Sequence, residues 1–538
     1  MDAFDFIVIG AGSAGCVLAE RLSAGGRHRV LVLEAGGSDR SFWVQMPIGY
    51  GKLFYDARRN WRFTAQADAG LNGRASYWPR GKIVGGSSSI NAMVYCRGLP
   101  GDFEDWRALG NPGWGWSDVR PCFEAIERNV LGDGRVAGSG PLWVSDVSGQ
   151  IHPLCRHFFA AARELGLPDT EDFNGPAPEG VGLYRITTKG GRRWSAADAF
   201  LRPALRRPNL KLEIGAQAAR ILFDSRRAIG VEYRKNGQVQ RAIARAEVIL
   251  CAGAVQSPQL LQLSGIGPQA MLRANGIMPL LANEAVGSHL QDHLAVSYYY
   301  RSREASLNSV FGSWRGRIGA GLQYLATRRG PLSLSVNQAG GFVRADVGRS
   351  RPDLQLYFNP LSYSTKTVGK RRLMHPDPFP GFVLSFQPCR PTSRGRIELD
   401  SSDPFAPPRI IPNYLSTERD RADVVAGGRL MQRFAATTAM RSIIEAPIGP
   451  DLSAMTEEGI LADFRARGDS VFHPVGSCRM GPDAASAVVD ANLRVHSVEA
   501  LRVVDASVFP TLTSGNTNAP VIMLAWKAAA MILADWEA

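Results

Sequence analysis

The feature that most constrains this chain is a glycine-rich turn between an apolar strand and a helix near the N-terminus. Residues 4–9 form a short apolar run typical of a central parallel strand, and residues 16–22 have the pattern of a helix. Between them stand Gly10, Gly12 and Gly15, spaced Gly-x-Gly-x-x-Gly. Gly10 makes the turn, Gly12 lets a pyrophosphate approach the backbone, and Gly15 lets the helix pack closely on the strand. This order predicts a Rossmann-type α/β unit whose helix N-terminus binds phosphate.

A second apolar strand ends in an acid at the expected distance. Residues 30–33 are Val-Leu-Val-Leu, and Glu34 follows Gly15 by 19 residues. An acid at this position hydrogen-bonds the ribose hydroxyls of an adenine dinucleotide. Strand, turn, helix, strand and acid in register indicate a dinucleotide site, but the pattern alone does not distinguish FAD from NAD.

The length and charge of the chain limit its class. With 538 residues, 45% of them hydrophobic, it is long enough for two or three interleaved domains of an ordinary globular protein. The net charge of +13 suits an anionic partner, such as a membrane surface or a phosphate-bearing cofactor, although a basic surface without such a partner explains it equally well. The basic residues are scattered without an aromatic-interleaved stripe, so no nucleic-acid partner is predicted.

The cysteines and the N-terminus indicate the compartment. Seven dispersed cysteines form no Cys-x-x-Cys pair, so neither a metal site nor a disulfide framework is predicted, and a reducing compartment fits best. The chain enters a strand at once, without the features of a signal peptide, and no run of about eighteen apolar residues occurs. The sequence therefore predicts a cytoplasmic protein without a membrane span. It leaves the oligomeric state open.

Two distant segments add chemistry to the dinucleotide cradle. Residues 85–91, Gly-Gly-Ser-Ser-Ser-Ile-Asn, form a loop of small residues able to press against a flat cofactor. His473 stands beside Pro474 and Gly476, in a tight turn near the C-terminus. An imidazole titrates near neutral pH and can take the proton of a hydroxyl group. A flavin that oxidises an alcohol needs such a cradle, loop and base.

Two longer stretches carry a family resemblance. Residues 80–95 resemble the first signature of the glucose–methanol–choline (GMC) FAD oxidoreductases, and residues 253–267 resemble their second signature. The likeness runs from Asp5 nearly to the C-terminus, and within the family it is strongest to the bacterial alcohol, choline and sorbose dehydrogenases. It implies an α/β fold, α+β overall, in which a Rossmann-type FAD-binding domain is interleaved with an antiparallel-sheet substrate domain.

The resemblance also implies domain boundaries. The FAD-binding domain is expected to comprise residues 1–155, 195–293 and 475–538. The substrate-binding domain is expected to comprise residues 156–194 and 294–474. Residues 353–358 and 396–399 read as strands of the antiparallel sheet, because apolar and polar residues alternate there.

The resemblance assigns the cofactor contacts. The residues expected to bind FAD are Gly10, Gly12, Ser13, Ala14, Gly15, Glu34, Ala35, Trp78, Arg80, Gly81, Val84, Gly85, Gly86, Ser87, Ser88, Asn91, Ala92, Met93, Val94, Ala218, Ala252, Gly253, Asp505, Ala506, Asn516 and Thr517. Some family members attach FAD through a histidine just before the asparagine of the loop. This chain has Ile90 there, which cannot form that bond, so non-covalent FAD is expected.

The resemblance makes His473 the base opposite flavin N5, with Asn516 orienting the substrate oxygen. Asn518 is the neighbouring candidate for the second role, but it suits the cap of the last helix better. His289 and His293 are expected to be structural. The implied reaction transfers hydride from the carbinol carbon of a small alcohol to flavin N5 and releases an aldehyde. No other motif identifies the alcohol. A quinone or another electron carrier then reoxidises the flavin.

Three alternatives remain open from the sequence. An oxidase returning electrons to oxygen would carry the same motifs. A flavin-dependent lyase or photodecarboxylase is the second alternative, since Cys389-Arg390-Pro391 resembles a segment of the photodecarboxylases. Those enzymes lack a histidine at the position of His473, so Cys389 is expected simply to pack in a strand. The third alternative is a binding module with a vestigial flavin.

The substrate side holds two segments of special interest. In residues 310–329, Phe311, Trp314, Ile318, Leu322 and Leu325 form an apolar helical face surrounded by arginines. A helix packed on its own protein is the favoured interpretation, with a lid or a peripheral contact with the inner membrane as the others. Residues 364–382 are basic and Pro-rich, which predicts a mobile loop near the entrance of the site.

Overall fold

Two β-sheets of different kinds organise the chain in the computed structural model, which describes residues 2–368 and 371–537. The helices are α1 (Ser13–Ser23), α2 (Phe42–Gln45), α3 (Tyr50–Leu53), α4 (Pro100–Ala108), α5 (Trp116–Ile126), α6 (Cys155–Glu164), α7 (Arg202–Ala204), α8 (Gly253–Leu263), α9 (Gln269–Ala274), α10 (Leu307–Phe311), α11 (Trp314–Thr327), α12 (Glu418–Ala436), α13 (Thr438–Ile443), α14 (Glu457–Arg467) and α15 (Asn518–Glu537).

The strands of the two sheets and of one hairpin are β1 (Ala3–Ile9), β2 (Val30–Glu34), β3 (Gly180–Leu183), β4 (Leu210–Ile214), β5 (Ala216–Asp224), β6 (Arg227–Lys235), β7 (Gln238–Leu250), β8 (Leu294–Ser302), β9 (Ala339–Val343), β10 (Leu354–Asn359), β11 (Tyr363–Val368), β12 (Arg371–Pro376), β13 (Gly381–Pro388), β14 (Ile444–Ile448), β15 (Asp469–Ser470) and β16 (Leu501–Val503). Shorter strands pair locally at Phe63–Thr64, Tyr77–Trp78, Glu127–Val130, Val136–Ala137, Leu142–Ser145, Thr188–Lys189, Arg192–Arg193, Ile266–Gly267, Leu281–Ala282, Arg396–Glu398 and Arg409–Ile411.

The first sheet has a parallel core. Its order is β4-β2-β1-β7-β6-β5, and β16 also pairs with β7. The pairs β4–β2, β2–β1, β1–β7 and β7–β16 are parallel, whereas β5, β6 and β7 form an antiparallel extension. Every residue of β2 is buried, as expected of a strand covered on both faces. Since α1 and α15 pack against each other over this sheet, they close its core on one side.

The second sheet is antiparallel throughout. Its order is β14-β8-β13-β10-β9-β3, and β15 also pairs with β8. The long helix α12 packs on β13 and covers one face. The strands of the two sheets alternate along the chain, because the second sheet takes residues from 180–183 and 294–470 while the first takes those before, between and after. This arrangement confirms the predicted fold class.

Some local predictions were wrong in detail. The strand expected at 353–358 is β10, one residue later, and all of its residues are buried, so its alternating sequence does not mark an exposed face. The segment 396–399 forms a strand at Arg396–Glu398, but that strand pairs with Arg409–Ile411 outside the main antiparallel sheet. Residues 364–382 are not a single loop, because β11 pairs with β12 and β13 begins at Gly381. Within that span, residues 369 and 370 lie outside the described residues.

Contrary to the expectation that no such apolar run occurs, α15 is one described helix that is long and apolar enough, by length and composition alone, to cross a membrane. Its segment Asn518–Trp536 reaches a mean hydropathy of 1.4. Over half of the segment is buried, and α15 packs against α1 and α5. Its apolar character is therefore that of a helix in the protein core.

Candidate active site

A cavity of about 680 Å³ lies where the two sheets meet. Ile9, Glu34 and Cys251 line it at the carboxyl ends of β1, β2 and β7, the edge at which open α/β sheets bind ligands. At its other end it reaches one face of the antiparallel sheet. Ala295, Ser297 and Tyr299 all line it, because alternate residues of β8 point to the same side. The fold thus joins a dinucleotide edge to a second chamber.

The glycines of the cradle have the separate roles that their spacing predicts. Gly10 has a φ of +106°, and a Cβ there would lie 2.5 Å from the carbonyl oxygen of Cys251. A Cβ on Gly15 would lie 1.8 Å from the carbonyl oxygen of Gly10, so the helix could not pack this closely with any side chain. A Cβ on Gly12 meets nothing nearer than 3.9 Å, and Gly12 lines the cavity. The lack of a side chain on Gly12 therefore leaves space for a ligand and is not required by close packing of protein atoms.

The first turn of α1 offers free backbone donors to that space. Gly12 is the N-cap of α1 and has no side chain to accept from the first amides. Ser13 and Ala14 line the cavity beside it. The Ser13 hydroxyl donates to Asn518 Oδ1 at 2.7 Å, which ties the starts of α1 and α15 together. Two helix N-termini thus meet at one point of the cavity, where their dipoles favour negative charge.

Two buried acids border the cradle. Glu34 accepts hydrogen bonds from the amides of Ala11 and Gly36, and burial raises the pKa of its carboxyl group to about 7. Asp505 accepts from the Gly253 amide at 2.9 Å and from the Ser257 hydroxyl at 2.5 Å, and burial raises its pKa as well. Each carboxylate shapes the neighbouring backbone while it lines the cavity.

Most of the expected cofactor residues come together here. Those that line the cavity are Gly10, Gly12, Ser13, Ala14, Glu34, Ala35, Arg80, Gly81, Gly86, Ser87, Asn91, Ala92, Met93, Val94, Ala218, Ala252, Gly253, Asp505, Ala506, Asn516 and Thr517. Their individual contacts with a cofactor remain predictions.

Five residues of the expected set, Gly15, Trp78, Val84, Gly85 and Ser88, lie outside the wall of this cavity. Trp78 is buried with its indole N–H donating to Ser76, and the Val84 amide donates to the carbonyl of Gly37. Gly85 has a φ of +85°, and the Ser88 hydroxyl donates to its carbonyl. These bonds stabilise the local fold, and the contacts of all five residues with FAD stay predictions.

The loop is fixed by an arginine that no motif of the sequence marks. Arg193 is fully buried, and its guanidinium donates to the side chain and the carbonyl of Asn91 at 2.8 and 2.7 Å. It also donates to the carbonyls of Ser88 and Val44. Burial lowers the pKa of Arg193 to about 10, so the group stays charged at neutral pH. As one of an Arg-Arg pair, it has no signal in the sequence that separates it from a surface arginine.

The candidate base is held by a second histidine. The ring nitrogens Nδ1 of His473 and His293 lie 3.0 Å apart, and His293 Nε2 lies 2.8 Å from the carbonyl oxygen of Cys389. A carbonyl can only accept, so His293 Nε2 carries hydrogen and the Nδ1 of a neutral His293 is bare. His473 Nδ1 must then donate to it. This leaves the lone pair of neutral His473 on Nε2, on the side of the cavity.

The expectation that His293 is merely structural therefore needs correction. His293 fixes the tautomer of His473, which is a positioning role in the site. His289 does not take part in this hydrogen-bonded chain, and it has a φ of +62° in the segment leading to β8. The sequence separation of 180 residues explains why the pairing of His293 with His473 was not evident from the motifs.

Asn516 meets His473 from the other side. Its Nδ2 lies 3.2 Å from His473 Nε2, which accepts in the tautomer derived above. Gln355 donates to Asn516 Oδ1 at 3.5 Å and so orients the amide. Asn518 is the first residue of α15 and points its side chain to Ser13 instead. The choice of Asn516 over Asn518 as the neighbour of His473 agrees with this geometry.

Burial and nearby cations keep His473 neutral. Burial, the neighbouring His293 and the Arg80 guanidinium lower the pKa of His473 well below 6.5. Burial also lowers the pKa of His293 to about 4. Asp292 accepts from the backbone amide of His473 at 2.7 Å, and Arg80 donates to the carbonyl of Phe472 at 2.5 Å. These contacts fix the backbone on both sides of His473. Because its pKa is lowered, the imidazole is neutral and can accept a proton at neutral pH.

The second chamber has aromatic walls. The Phe54 ring packs against those of Phe472 and Tyr77 at centroid distances of 5.2 and 5.5 Å, and all three line the cavity near His473. Tyr299 and Tyr357 line the side of the antiparallel sheet. Such a chamber suits the apolar part of a small organic molecule.

Charged groups are few in this wall. Among the described residues that line the cavity, the carboxylates are Glu34 and Asp505 on the dinucleotide side and Asp469 on the side of the antiparallel sheet, where it pairs with Ala295 of β8. The cations are Arg80 and Arg467. Asp469 is exposed, so no buried carboxylate of this lining lies on the side of the aromatic chamber.

Cys389 takes no direct part in the cavity. It lies one residue beyond β13 rather than inside a strand, is completely buried and is absent from the cavity lining. Burial raises the pKa of its thiol far above the ordinary value. Its carbonyl accepts from His293, and its side chain packs in a buried cluster with Val94 and Tyr357, which line the cavity.

The residues present fit FAD. One end of the cavity is a glycine cradle with free helix amides, and the other end is a chamber that contains a histidine base. A Cβ on Gly12 would enter the open space at the cradle. A flavin adenine dinucleotide has one anionic and one flat aromatic part, which match these two regions. The cradle residues and the loop fixed by Arg193 would hold it.

Comparison with known proteins gives a family. Two models described as GMC oxidoreductase match this chain, one over residues 4–295 and the other over residues 391–525. Together they cover the cradle, the loop, His293, His473 and Asn516.

Relatives match over nearly the full length. An alcohol dehydrogenase [acceptor] of Pseudomonas putida is 41% identical, covering 98% of this chain and 96% of that protein. The mitochondrial choline dehydrogenase of Homo sapiens is 42% identical, covering 99% and 90%. Among solved structures, pyridoxine 4-oxidase from Mesorbium loti is 31% identical, with a TM-score of 0.86 and 98% of each chain covered.

Proposed function

This chain belongs to the GMC oxidoreductase family, and on that premise we propose how its site carries out the FAD-dependent oxidation of an alcohol. The observation that carries the proposal is the hydrogen-bonded chain from Cys389 through His293 to His473, which leaves a bare imidazole nitrogen beside Asn516. Bound FAD would supply the two-electron oxidant for the carbinol carbon.

His473 acts as the base. The alcohol hydroxyl replaces the Asn516 amide as the donor to His473 Nε2, and this nitrogen takes its proton as the alcohol is oxidised to an aldehyde. Asn516 then donates to the substrate oxygen, since its amide lies within 3.2 Å of the same nitrogen. The aromatic walls exclude water from the reacting atoms, and Arg80 and His293 oppose early protonation of the base.

We propose that the substrate is a neutral primary alcohol with an apolar or aromatic body. The aromatic chamber offers stacking surface, but the described lining carboxylate on its side, that of Asp469, is exposed to water and would balance a buried cation poorly. Arg80 adds positive charge close to His473. A quaternary ammonium alcohol such as choline is therefore expected to be a poor substrate, although relatives named choline dehydrogenase are similar in sequence.

The pH dependence of the reaction tests the base and its positioning residue. Protonated His473 cannot accept a proton, and its pKa lies well below 6.5. The rate of flavin reduction by alcohol is therefore expected to stay constant as the pH falls through 6.5 and to decline only in more acidic solution. Stopped-flow measurements between pH 5 and 9 would check this. A decline centred at or above 6.5 would show that the base is another group or is not buried.

His293 variants separate positioning from packing. His293→Leu removes the acceptor for His473 Nδ1, which frees the wrong tautomer, and is expected to slow flavin reduction by at least about tenfold. His293→Asn keeps an acceptor near the position of Nδ1 and is expected to retain more activity and a pH profile closer to that of the wild type. If both variants lose activity equally, with unchanged pH profiles, His293 serves only for packing.

We propose that FAD is held without a covalent bond. Ile90 lines the cavity in the loop next to Asn91, and its side chain has no nucleophilic atom. Acid precipitation of the purified yellow protein is expected to release the flavin into the supernatant. Flavin that remains with the pellet would identify a covalent attachment at another residue.

We propose that a quinone or another electron carrier, rather than oxygen, takes the electrons. The similarity to an enzyme named alcohol dehydrogenase [acceptor] supports this. Turnover in air with an artificial quinone is expected to exceed turnover without it, with aldehyde formed in excess of hydrogen peroxide. Equal rates of peroxide and aldehyde formation, with no acceleration by quinone, would make the protein an oxidase.

A further inference from the structure

The helix α11 turns an apolar face to the outside of the molecule. Trp314, Ile318, Leu322 and Leu325 are 67%, 54%, 64% and 58% exposed. They recur at spacings of four and three, so they lie along one side of the helix. The buried residues of α11 are Ala320 and Tyr324, on the opposite side. The interpretation of this helix as one packed through its apolar face is therefore wrong.

A second apolar pair lies on an adjoining element. Phe42 and Trp43 of α2 are 52% and 43% exposed. Residues 191–193 connect α2 to α11, because the Tyr324 hydroxyl donates to the carbonyl of Gly191 and Arg193 donates to the carbonyl of Val44. We call the four exposed side chains of α11 the apolar face.

The charged residues along the segment that contains α11 are all basic. Residues 305–345 contain no Asp or Glu. Arg315, Arg317 and Arg329 are exposed, and the Arg328 guanidinium lies 5.0 Å from the ring centroid of Tyr324. The exposed Arg192 adds positive charge next to Tyr324. Exposed indole and aliphatic side chains bordered by arginines match the interface of a bilayer that carries anionic headgroups.

The charge also argues against a second copy of this chain as the occupant. In a twofold-symmetric dimer through the apolar face, the arginines around one α11 would meet those around the other. No acidic residue within 305–345 would balance them. A lipid surface with negative headgroups supplies the missing charge.

The helix that carries the apolar face adjoins the wall of the cavity. The turn at Pro331–Ser333 contacts α11, and Val336 and Asn337, which follow it, line the aromatic chamber. The turn at Pro47–Gly49 contacts the same segment and leads into α3, where Tyr50 lines the chamber. A bilayer that covers the apolar face would therefore lie close to the wall of the aromatic chamber.

We propose that the apolar face docks this protein on the anionic surface of a lipid bilayer, with α11 lying in the plane of the headgroups. Docking itself requires no catalysis. Its use, which rests on the proposed function, is to bring the aromatic chamber near lipid-soluble carriers.

Sedimentation with lipid vesicles tests the docking. FAD-loaded full-length protein is expected to sediment with vesicles of phosphatidylglycerol and phosphatidylethanolamine, and much less with phosphatidylcholine alone. The double variant Ile318→Glu/Leu322→Glu is expected to bind at least about tenfold more weakly, because two carboxylates would have to enter the interface. Arg315→Gln and Arg329→Gln are each expected to weaken binding about fivefold.

Matched controls are available elsewhere on the surface. Val347 and Met278 are 97% and 85% exposed and lie outside the apolar face. Val347→Glu and Met278→Glu are expected to leave vesicle binding unchanged. FAD content and melting temperature should match the wild type in all variants, which separates lost docking from lost folding.

Two results would overturn the proposal. Absence of binding to anionic vesicles, or equal weakening by the control substitutions, would show that the apolar face does not dock on lipid. Self-association in solution that Ile318→Glu/Leu322→Glu abolishes, without vesicle binding, would make a second copy the occupant. Flavin reduction by alcohol in vesicle-free buffer is a separate measurement, so failure of the proposed function is distinguishable from failure of docking.

Discussion

Replacement of His473 by alanine is expected to slow the reduction of bound flavin by alcohol by roughly 10²–10⁴-fold, the usual scale of general acid–base catalysis. The reason is the geometry of Nε2, which is the bare nitrogen of a tautomer fixed by His293 and lies 3.2 Å from the Asn516 amide. FAD content should stay near that of the wild type, since the cradle lies at the other end of the cavity. Anaerobic stopped-flow reduction with saturating alcohol measures the effect.

The controls for His473→Ala address its buried surroundings. The substitution leaves His293 Nδ1 without its donor, so His473→Gln, which retains a polar side chain, should be measured beside it. His157→Ala removes an imidazole on α6 that pairs with Glu304 and is not part of the cavity lining. It is expected to reduce flavin at the wild-type rate. A His473→Ala protein that does the same would disprove the assignment of the base.

Replacement of Gly12 by valine is expected to give a folded but largely colourless protein. A Cβ at this position meets no protein atom nearer than 3.9 Å, so the cofactor-free fold tolerates it, while the branched side chain fills the space for the pyrophosphate. Loss of FAD removes the stabilisation that a bound ligand provides by mass action, so the melting temperature should fall. Absorbance at the flavin band and thermal unfolding with and without added FAD measure both effects.

Gly15→Ala serves as the contrasting variant. Its Cβ would lie 1.8 Å from the carbonyl oxygen of Gly10, so this smaller substitution should damage the fold itself. We expect poor yield or a lowered melting temperature that added FAD does not restore. Full FAD occupancy in Gly12→Val would mean that the loop does not hold the pyrophosphate.

The sequence predicted those features whose signal lies within one short stretch of chain. The order of β1, the glycine turn, α1, β2 and Glu34 follows from apolar runs and glycine spacing within 34 residues, and each of these features is present in the structure. The pairing of His473 with Asn516, 43 residues apart in separate motifs, was expected only from the resemblance to the GMC family.

Features that depend on distant partners could not be predicted. Arg193 and His293 act on Asn91 and His473 across 102 and 180 residues, and neither has a neighbouring residue that marks its role. The apolar stripe of α11 was visible in the sequence, but its periodicity gives the position of one face and not whether protein covers it. The boundaries of the two interleaved domains remain predictions for the same reason.

The most direct test of the central claim is anaerobic bleaching of the bound flavin by alcohols. Wild-type protein mixed in the dark with neutral primary alcohols, aliphatic and aromatic, is expected to lose its yellow colour as one equivalent of aldehyde forms. Choline at the same concentration should bleach it far more slowly, because the aromatic chamber has no buried carboxylate among its described lining residues. Retention of the oxidised flavin spectrum with every alcohol, including in protein shown to be fully loaded with FAD, would contradict the account.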